Sequence, residues 1–285
     1  MAKMETISVN AYAKVNFTLD ILGRTGGYHR LDSLVCTVGL SDSVTAIKRA
    51  DGRCFVAIEG LDADALPRAN NAVRAAEAFF SAFGGGGAEI RIVRSVPVGA
   101  GLGSSSADAA GVLKALSLLY GIADMGAVKR IADTLGSDTG YLLTGGWARM
   151  TGRGEQIEPL ADMPLLWLLL ILPHTGMDTA ACFAEYDRRG ESFSPCTQES
   201  IDRLRAGRLS PKCFSNALTQ AACARNADIA RALETVYAVS AYGGGMTGSG
   251  SACYAVFAEE AACLAARASC PKDMTALCVP TVPQK

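Results

Sequence analysis

A glycine-rich stretch, PVGAGLGSSSADAA at residues 97–110, most constrains what this chain can fold into. Alternating apolar residues over 89–96 predict a strand before it, and apolar residues at helical spacing up to Gly121 predict a helix after it. Glycine lets a backbone approach an anion closely, and a helix N-terminus offers unpaired N–H groups. A slack surface loop is the alternative, but the place between strand and helix favours a phosphate-binding loop.

Two common phosphate loops do not fit this stretch. A P-loop of the form G-x-x-x-x-G-K-[ST] needs a lysine, and a serine follows Gly103 instead. In a dinucleotide fingerprint read from Gly99 or from Gly101, the third glycine is replaced by Ser104 or Ser106. Neither a Walker-type nor a Rossmann-type site is therefore predicted.

The composition indicates a small-molecule partner. A chain of 285 residues with 49% hydrophobic residues can build one large or two ordinary domains, and a net charge of −1 leaves no electrostatic footprint for nucleic acid. The longest apolar run, 165–172, is about half of a membrane span, and no apolar leader opens the sequence. We expect a cytoplasmic protein that binds neither a membrane nor a nucleic acid.

The cysteines and histidines narrow the chemistry further. Ten cysteines are scattered without a C-x-x-C pair, which favours reduced, mostly buried thiols over a disulfide framework or a metal site. The two histidines, His29 and His174, offer little material for a histidine-based zinc site or a Ser-His-Asp triad.

Several elements follow from hydrophobic periodicity. Strict alternation over 6–21 predicts a half-buried strand, or two strands joined by a bend, with Lys14 and Asn16 on one face. Helices are predicted at 71–83 and 127–135, each ended by glycine, and a strand at 165–172 opens a second half read as βαβ-like alternation. A boundary near residue 160 is predicted, with no low-complexity linker to mark it.

Three segments resemble motifs of the GHMP kinase superfamily, small-molecule kinases named for galactose, homoserine, mevalonate and phosphomevalonate. The stretch at 97–110 is similar to the second motif. AYAKVNFTLDILGRTGGYHRLDSL at 11–34 resembles the first motif of the branch that acts on 4-diphosphocytidyl-2-C-methyl-D-erythritol, in which A-x-A-K-x-N is followed by G-Y-H. GGGMTGSGSACYAVF at 243–257 resembles the C-terminal glycine loop, so the three motifs occur in the family's order.

The resemblance implies an α+β, two-domain GHMP kinase fold. Residues 1–160 would form the ATP-binding half, like domain 2 of ribosomal protein S5, and residues 161–285 a ferredoxin-like half, with the active site in the cleft. It also implies phosphorylation of the 2-hydroxyl of that cytidyl substrate with ATP and Mg²⁺, by a monomer or weak homodimer.

The resemblance assigns the phosphate and catalytic positions. Nine residues are implied to bind ATP: Pro97, Gly99, Gly101, Leu102, Gly103, Ser104, Ser105, Ser106 and Asn71. Of these, Ser105 and Ser106 are implied magnesium ligands. Asp138 matches the aspartate that accepts the proton of the substrate hydroxyl, and Lys14 the cation beside it, which would keep the carboxylate ionised and polarise the hydroxyl. Without the resemblance, a loop-capping Asp138 and a solvated Lys14 remain the alternatives.

Substrate contacts are implied at six positions: Asn16, Tyr28, His29, Phe183, Gly248 and Ser249. Tyr28 and His29 match residues that hold cytosine, and Phe183 matches an aromatic residue that stacks on it. Asn16 matches a position at the erythritol. Ordinary core or surface packing is the alternative for each aromatic residue.

The chain departs from the branch's usual motifs at three places. Thr139-Gly140-Tyr141 follows the implied base in place of V-P-F, the residues 104–107 read S-S-S-A, and an N-D-L/F-E segment appears as Asn216-Ala217-Leu218-Thr219. These departures bear on the substrate, so a kinase of the same superfamily for an alcohol such as mevalonate or homoserine is the alternative. A non-catalytic sensor of nucleotide and metabolite is a second alternative, against which the presence of both Lys14 and Asp138 argues.

Overall fold

A computed structural model describes residues 5–59, 70–190 and 193–284. Its residue contacts group the chain into two compact units. Unit 1 comprises Met1–Ala13, Leu40–Pro97 and Gly103–Thr144, and unit 2 comprises Lys14–Gly39, Val98–Leu102 and Gly145–Lys285. The boundary near residue 160 stays a prediction.

The described residues form twelve strands and nine helices. The strands are β1 (Thr6–Asn16), β2 (Thr18–Thr25), β3 (Tyr28–Arg49), β4 (Phe55–Ile58), β5 (Gly87–Val93), β6 (Trp147–Gly152), β7 (Gln156–Pro159), β8 (Trp167–Leu172), β9 (Ser215–Asn216), β10 (Gly244–Met246), β11 (Cys253–Phe257) and β12 (Thr275–Pro280). The helices are α1 (Asn71–Phe83), α2 (Ser104–Tyr120), α3 (Met125–Leu135), α4 (Thr139–Leu142), α5 (Thr179–Arg189), α6 (Thr197–Arg205), α7 (Thr219–Arg225), α8 (Ala227–Val239) and α9 (Glu260–Arg267).

Unit 1 places helices on a small sheet. Residues 43–49 of β3 pair antiparallel with β5, which pairs parallel with β4. Helix α2 lies directly on this sheet, because a Cβ on Gly111 would come within 2.7 Å of Val44 Cγ2. Helix α1 packs against α2 through small residues and Phe79, and the side chain of Asn70 caps its N-terminus by accepting from the N–H of Ala72 at 2.8 Å.

Unit 2 contains two groups of paired strands. In the first, β2 and the beginning of β3 form a hairpin, β6 pairs antiparallel with residues 31–36 of β3, and β7 pairs with β6. The two-residue β9 adds to β2 in parallel. The second is a four-stranded sheet in the order β10-β11-β8-β12 with every pair antiparallel. This order and the helices between its strands give the ferredoxin-like half that the resemblance implied.

Most predicted elements are present. The predicted helix over 71–83 matches α1, and the alternating segment 6–21 forms two strands that separate at Phe17. The predicted alternation of strands and helices in the second half is present, and β8 joins β11 and β12 antiparallel. No helix among the described ranges is long and apolar enough to cross a membrane.

Candidate active site

Within unit 2, the segment 98–102 of the glycine-rich loop is held by its backbone. The carbonyl of Gly99 accepts from the N–H of Met177, that of Ala100 from Ala252, and that of Leu102 from Lys14, each at 3.0 Å. Gly101 has a φ of 75°, and a Cβ there would lie 2.3 Å from the carbonyl oxygen of Thr247. Only glycine fits this position.

Within unit 1, the rest of the loop opens helix α2. Gly103, in the left-handed region with a φ of 75°, has no side chain to cap the helix, and the first intrahelical hydrogen bond runs from Ala107 N–H to its carbonyl at 2.8 Å. The N–H groups of residues 104–106 therefore precede the hydrogen-bond ladder of the helix. This is an arrangement that suits an anion.

The three serines of this helix start differ in their surroundings. Ser104 is buried, and its hydroxyl donates to the carbonyl of Val96 at 3.3 Å. Ser105 is exposed and accepts from the side-chain amide of Asn71 at 3.0 Å. Ser106 is half-buried. Pro97, which precedes the loop, is half-buried in the same unit. Ser105 and Ser106 therefore present hydroxyls at the helix start, whereas Ser104 anchors it.

Asp138 occupies the N-cap position of α4 and is half-buried. Its side chain makes no capping hydrogen bond to that helix, which removes the plainest structural role for it. The segment before it lies against α2, since a Cβ on Gly136 would come within 3.4 Å of Ser106 Oγ and 3.3 Å of Thr139 Oγ1. Thr139 Oγ1 is buried and has no hydrogen-bond partner in the described part of the chain.

Lys14 and Asn16 form a buried polar pair at the end of β1. Both side chains are less than a tenth exposed, and the ammonium of Lys14 donates to Asn16 Oδ1. The amide nitrogen of Asn16 donates to Ser33 Oγ at 2.7 Å. The solvated-face alternative for Lys14 is thus excluded by its burial, and Asn16 lies beside the lysine.

The first part of the C-terminal glycine motif of residues 243–257 borders this pair in unit 2. A Cβ on Gly248 would stand 3.4 Å from Lys14 Nζ. Thr247 Oγ1 accepts from the backbone N–H of Asn16 at 2.9 Å. Ser249 is buried, and its hydroxyl is 2.8 Å from that of Thr179 at the start of α5.

Of the three side chains predicted to bind cytosine, only two are in contact with each other. His29 stacks on Phe183 with ring centroids 4.8 Å apart and 27° between the ring planes. Tyr28, the preceding residue of the strand, is exposed, and the Arg153 guanidinium lies 4.9 Å from its ring centre. His29 Nε2 is 2.8 Å from a carboxylate oxygen of Asp187. Because neighbouring residues of a strand face opposite sides, one ring of the G-Y-H turn packs against α5 and the other does not.

A cavity of about 690 Å³ adjoins this turn within unit 2. Tyr28 and His29 line it, together with cationic and anionic side chains from β3 and from the β6–β7 hairpin: Arg30, Asp32, Arg149, Arg153 and Glu155. Arg149 is already engaged in two hydrogen bonds with Asp32, at 2.8 and 2.6 Å. The cavity offers a flat ring and charged groups to a polar ligand.

Sequence reasoning missed several polar residues at the site. Thr247 and Asn216 are buried, and only contacts with segments far away in sequence show what they do. Asp187 was missed beside His29, although an acid four residues after Phe183 on a helix was a usable signal. In unit 1, the buried Asp42 accepts the backbone N–H groups of the two residues that precede Pro97, at 2.5 and 2.7 Å.

Comparison with known proteins places this geometry in a family. The family model for the GHMP kinases N terminal domain matches residues 70–147, and that for the GHMP kinases C terminal matches residues 199–272. A 4-diphosphocytidyl-2-C-methyl-D-erythritol kinase of Pelotomaculum thermopropionicum is 34% identical over 260 residues, which covers 89% of this chain and 90% of the relative. A kinase of the same name from Paramagnetospirillum magneticum is 33% identical over 281 residues, with 93% and 94% covered.

A solved structure agrees with these relatives. The crystal structure of a 4-(cytidine 5'-diphospho)-2C-methyl-D-erythritol kinase superposes with a TM-score of 0.82 at 28% identity, over 97% of this chain and 100% of that one. The motif resemblance, the family models and the full-length relatives all point the same way. The chain belongs to the GHMP kinases and, within them, to the 4-diphosphocytidyl-2-C-methyl-D-erythritol kinase family.

Proposed function

We propose that this chain transfers the γ-phosphoryl group of ATP to the 2-hydroxyl of 4-diphosphocytidyl-2-C-methyl-D-erythritol, a step of the non-mevalonate isoprenoid pathway. The observation that carries the proposal is a buried lysine, Lys14, whose ammonium donates a hydrogen bond to Asn16. The full-length relatives of this chain are named 4-diphosphocytidyl-2-C-methyl-D-erythritol kinase. Burial of an ammonium group costs free energy, so a buried lysine at the end of a strand indicates either a structural hydrogen bond or a functional role.

Asp138 and Lys14 have separate roles in the proposed reaction. Asp138 accepts the proton of the 2-hydroxyl, the freed oxygen attacks the γ-phosphorus, and the bond from that phosphorus to the bridging oxygen breaks to release ADP. Lys14 polarises the hydroxyl and stabilises the charge that develops in the transition state. Phosphoryl transfer depends mostly on such positioning and charge stabilisation.

The glycine-rich loop and the start of α2 would cradle the phosphates of ATP. The N–H groups of residues 104–106, which precede the hydrogen-bond ladder of the helix, supply donors, and Gly99 and Gly101 let the backbone approach. Asn71 supports this site through Ser105.

The hydroxyl oxygens at the start of α2 and next to Asp138 are suitable ligands for a magnesium ion. Mg²⁺ prefers oxygen ligands and is usually held by one or two protein groups together with phosphate oxygens and water. Ser105 and Ser106 present hydroxyl oxygens at the helix start, and the buried Thr139 hydroxyl nearby is unpaired among the described residues. Bound there, the ion would neutralise charge on the β- and γ-phosphates.

Substrate choice would rest on the surroundings of the G-Y-H turn. His29 and Phe183 offer flat rings to cytosine, and Asp187 fixes the imidazole through its hydrogen bond. Gly248 and Ser249 would line the path from this turn to Lys14.

The cellular setting is part of the proposal. All ten cysteines are free thiols, and most are buried or half-buried, as expected in a reducing compartment. We place the enzyme in the cytoplasm, as a monomer or weak homodimer that acts on a small molecule.

A coupled ATP-consumption assay with three alcohols in parallel tests the function. The expected result is turnover with the cytidyl substrate and none with mevalonate or homoserine. Turnover with only mevalonate or only homoserine would show that the chain has the activity of another kinase of the superfamily. Binding of ATP and substrate without turnover of any of them would identify a sensor.

A further inference from the structure

The hydroxyl of Thr247 connects two segments that carry the proposed reaction. It accepts the backbone N–H of Asn16 at 2.9 Å and donates to the carbonyl of Gly101 at 3.3 Å. Thr247 has no exposed surface. All three residues belong to unit 2, so one buried hydroxyl joins the end of β1, next to Lys14, to the glycine-rich loop.

The side chain of Asn16 has one orientation that satisfies its neighbours. Ser33 donates its hydroxyl hydrogen to the carbonyl of Thr18 at 2.5 Å, so its oxygen is left to accept from the Asn16 amide nitrogen at 2.7 Å. The amide oxygen of Asn16 must then face Lys14, whose ammonium donates to it. The position of the ammonium therefore depends on where Asn16 is held, and Thr247 contributes to this by its bond to the Asn16 backbone N–H and by a 3.5 Å approach of its hydroxyl to Asn16 Oδ1.

Asn216 in turn fixes Thr247. Its amide nitrogen donates to the carbonyls of Met246 at 2.9 Å and Gly248 at 2.8 Å, on either side of Thr247. Its amide oxygen accepts the N–H of Leu218 at 2.9 Å. Asn216 thus uses both amide hydrogens and its oxygen in hydrogen bonds. It is present in the segment 216–219, in which the acidic residues of the family's N-D-L/F-E motif are absent.

We propose that Thr247 is a positioning residue for phosphoryl transfer: through Asn16 it holds the Lys14 ammonium in the direction that the substrate hydroxyl requires, and Asn216 keeps Thr247 in place. The inference rests on the proposed function, because it assumes that Lys14 acts on that hydroxyl. Its physical basis is that a buried donor without a partner costs free energy, so removal of the hydroxyl would shift the Asn16 backbone. Even a small displacement of a group that is positioned for reaction lowers the rate constant of the chemical step strongly.

A matched pair of variants tests this role. Thr247→Val keeps the shape and loses the hydroxyl, whereas Thr247→Ser keeps the hydroxyl. We expect Thr247→Val to lower kcat about 10- to 100-fold and Thr247→Ser to stay within about threefold of the wild type. The KM values for ATP and for the cytidyl substrate should change by less than about threefold in both. Asn216→Asp should behave like Thr247→Val, because a carboxylate cannot donate to two carbonyl groups.

A double-mutant cycle separates positioning from a structural role. If Thr247 acts through Lys14, Thr247→Val should lower kcat by less than about threefold in a Lys14→Met background. A full additional loss in that background would overturn the inference, as would a folded Thr247→Val variant with wild-type kcat. Circular dichroism and thermal unfolding establish that each variant is folded.

One readout does not depend on turnover. The NMR resonance of the Lys14 Cε should move in Thr247→Val and stay in place in Thr247→Ser, because only the former changes the hydrogen bond of the ammonium. A resonance that does not move in Thr247→Val overturns the inference, even if the wild-type protein phosphorylates none of the alcohols tested. Failure of the proposed function is seen separately, as a wild-type protein without activity.

Discussion

The carboxyl groups of Asp42 and Asp108 meet in the interior of unit 1, and one oxygen of each is buried without a donor among the described residues. The other oxygen of Asp42 accepts the N–H groups of Ser95 and Val96, just before the glycine-rich loop. The other oxygen of Asp108, on α2, accepts from Arg94 at 2.7 Å. Burial raises the pKa of Asp108 to about 6, against the opposing effect of Arg94, and Asp42 adds to the rise. Protonation of Asp108 would let its carboxyl group donate to Asp42, and this would connect the segment before the glycine-rich loop to the helix after it.

This pair should make stability fall as the pH rises. The pKa of the Asp108 carboxyl is about 3.8 without the fold and about 6 within it, so the folded state binds the proton more tightly. The resulting stabilisation is complete below pH 4 and is lost as the pH rises through 6, by up to about 3 kcal/mol. Urea unfolding between pH 4 and 7.5, without nucleotide or metal, measures it.

Asp42→Asn serves as the comparison for this prediction. The new amide can donate to the Asp108 carboxylate, while its oxygen still accepts from Ser95 and Val96, so the contact no longer favours protonation of Asp108. The variant should lose the part of the decline in unfolding free energy between pH 4 and 7 that Asp42 causes, while the part that burial of Asp108 causes remains. Equal slopes in the wild type and in Asp42→Asn would show that Asp42 does not contribute to the raised pKa of Asp108.

Asp138→Asn should abolish turnover without loss of nucleotide binding. The amide cannot accept the hydroxyl proton, so kcat should fall about 10²- to 10⁴-fold, while the affinity for a non-hydrolysable ATP analogue stays within about threefold. Asp133→Asn is the control, because Asp133 is exposed, lies on the preceding helix and pairs with Lys129 at 2.8 Å. Undiminished turnover in Asp138→Asn would remove this residue as the base.

Phe183→Ala should weaken binding of the cytidyl substrate specifically. Loss of an aromatic surface that stacks on a base costs about 1–3 kcal/mol, so the KM for that substrate should rise about 10- to 100-fold. The KM for ATP should not change. Phe55→Ala, at an exposed ring in unit 1, is the control. An unchanged KM for the cytidyl substrate in Phe183→Ala would mean that cytosine binds elsewhere.

Local signals in the sequence predicted the elements of the site well. Helix α1 has its predicted bounds because Asn70 caps one end and Gly84, with a φ of 65°, ends the other. Helix α2 begins at the serines after Gly103 and ends at Gly121, which has a left-handed conformation. Caps and left-handed glycines act over a few residues, so a single sequence shows them.

Features that depend on distant contacts were not predicted from the pattern of residues alone, apart from what the family resemblance implied. The antiparallel order of the second sheet is set by pairing between β8 and strands more than 75 residues away, and hydrophobic runs carry no direction. The separation of Tyr28 from His29 follows from strand alternation, but only once β3 is known to begin at Tyr28. Thr247 looks like any hydroxyl residue in a glycine loop until its contact with Asn16 is seen.

Two glycines of the same loop should respond very differently to alanine. Gly99 and Gly101 have similar φ values, 72° and 75°, so alanine meets about the same backbone strain of 1–2 kcal/mol at either position. They differ in space: a Cβ on Gly99 has nothing closer than 3.8 Å, whereas a Cβ on Gly101 would lie 2.3 Å from the carbonyl oxygen of Thr247. Gly101→Ala must therefore displace either the loop or Thr247.

We expect Gly101→Ala to lower kcat/KM for ATP at least about 100-fold and Gly99→Ala to lower it less than about tenfold. Steady-state kinetics with varied ATP, together with thermal unfolding of both variants, makes the comparison. Because the backbone strain is matched, the difference between the two variants measures the steric effect at Gly101. Equal losses would mean that the left-handed conformation, and not the close approach to Thr247, is what the loop requires at Gly101.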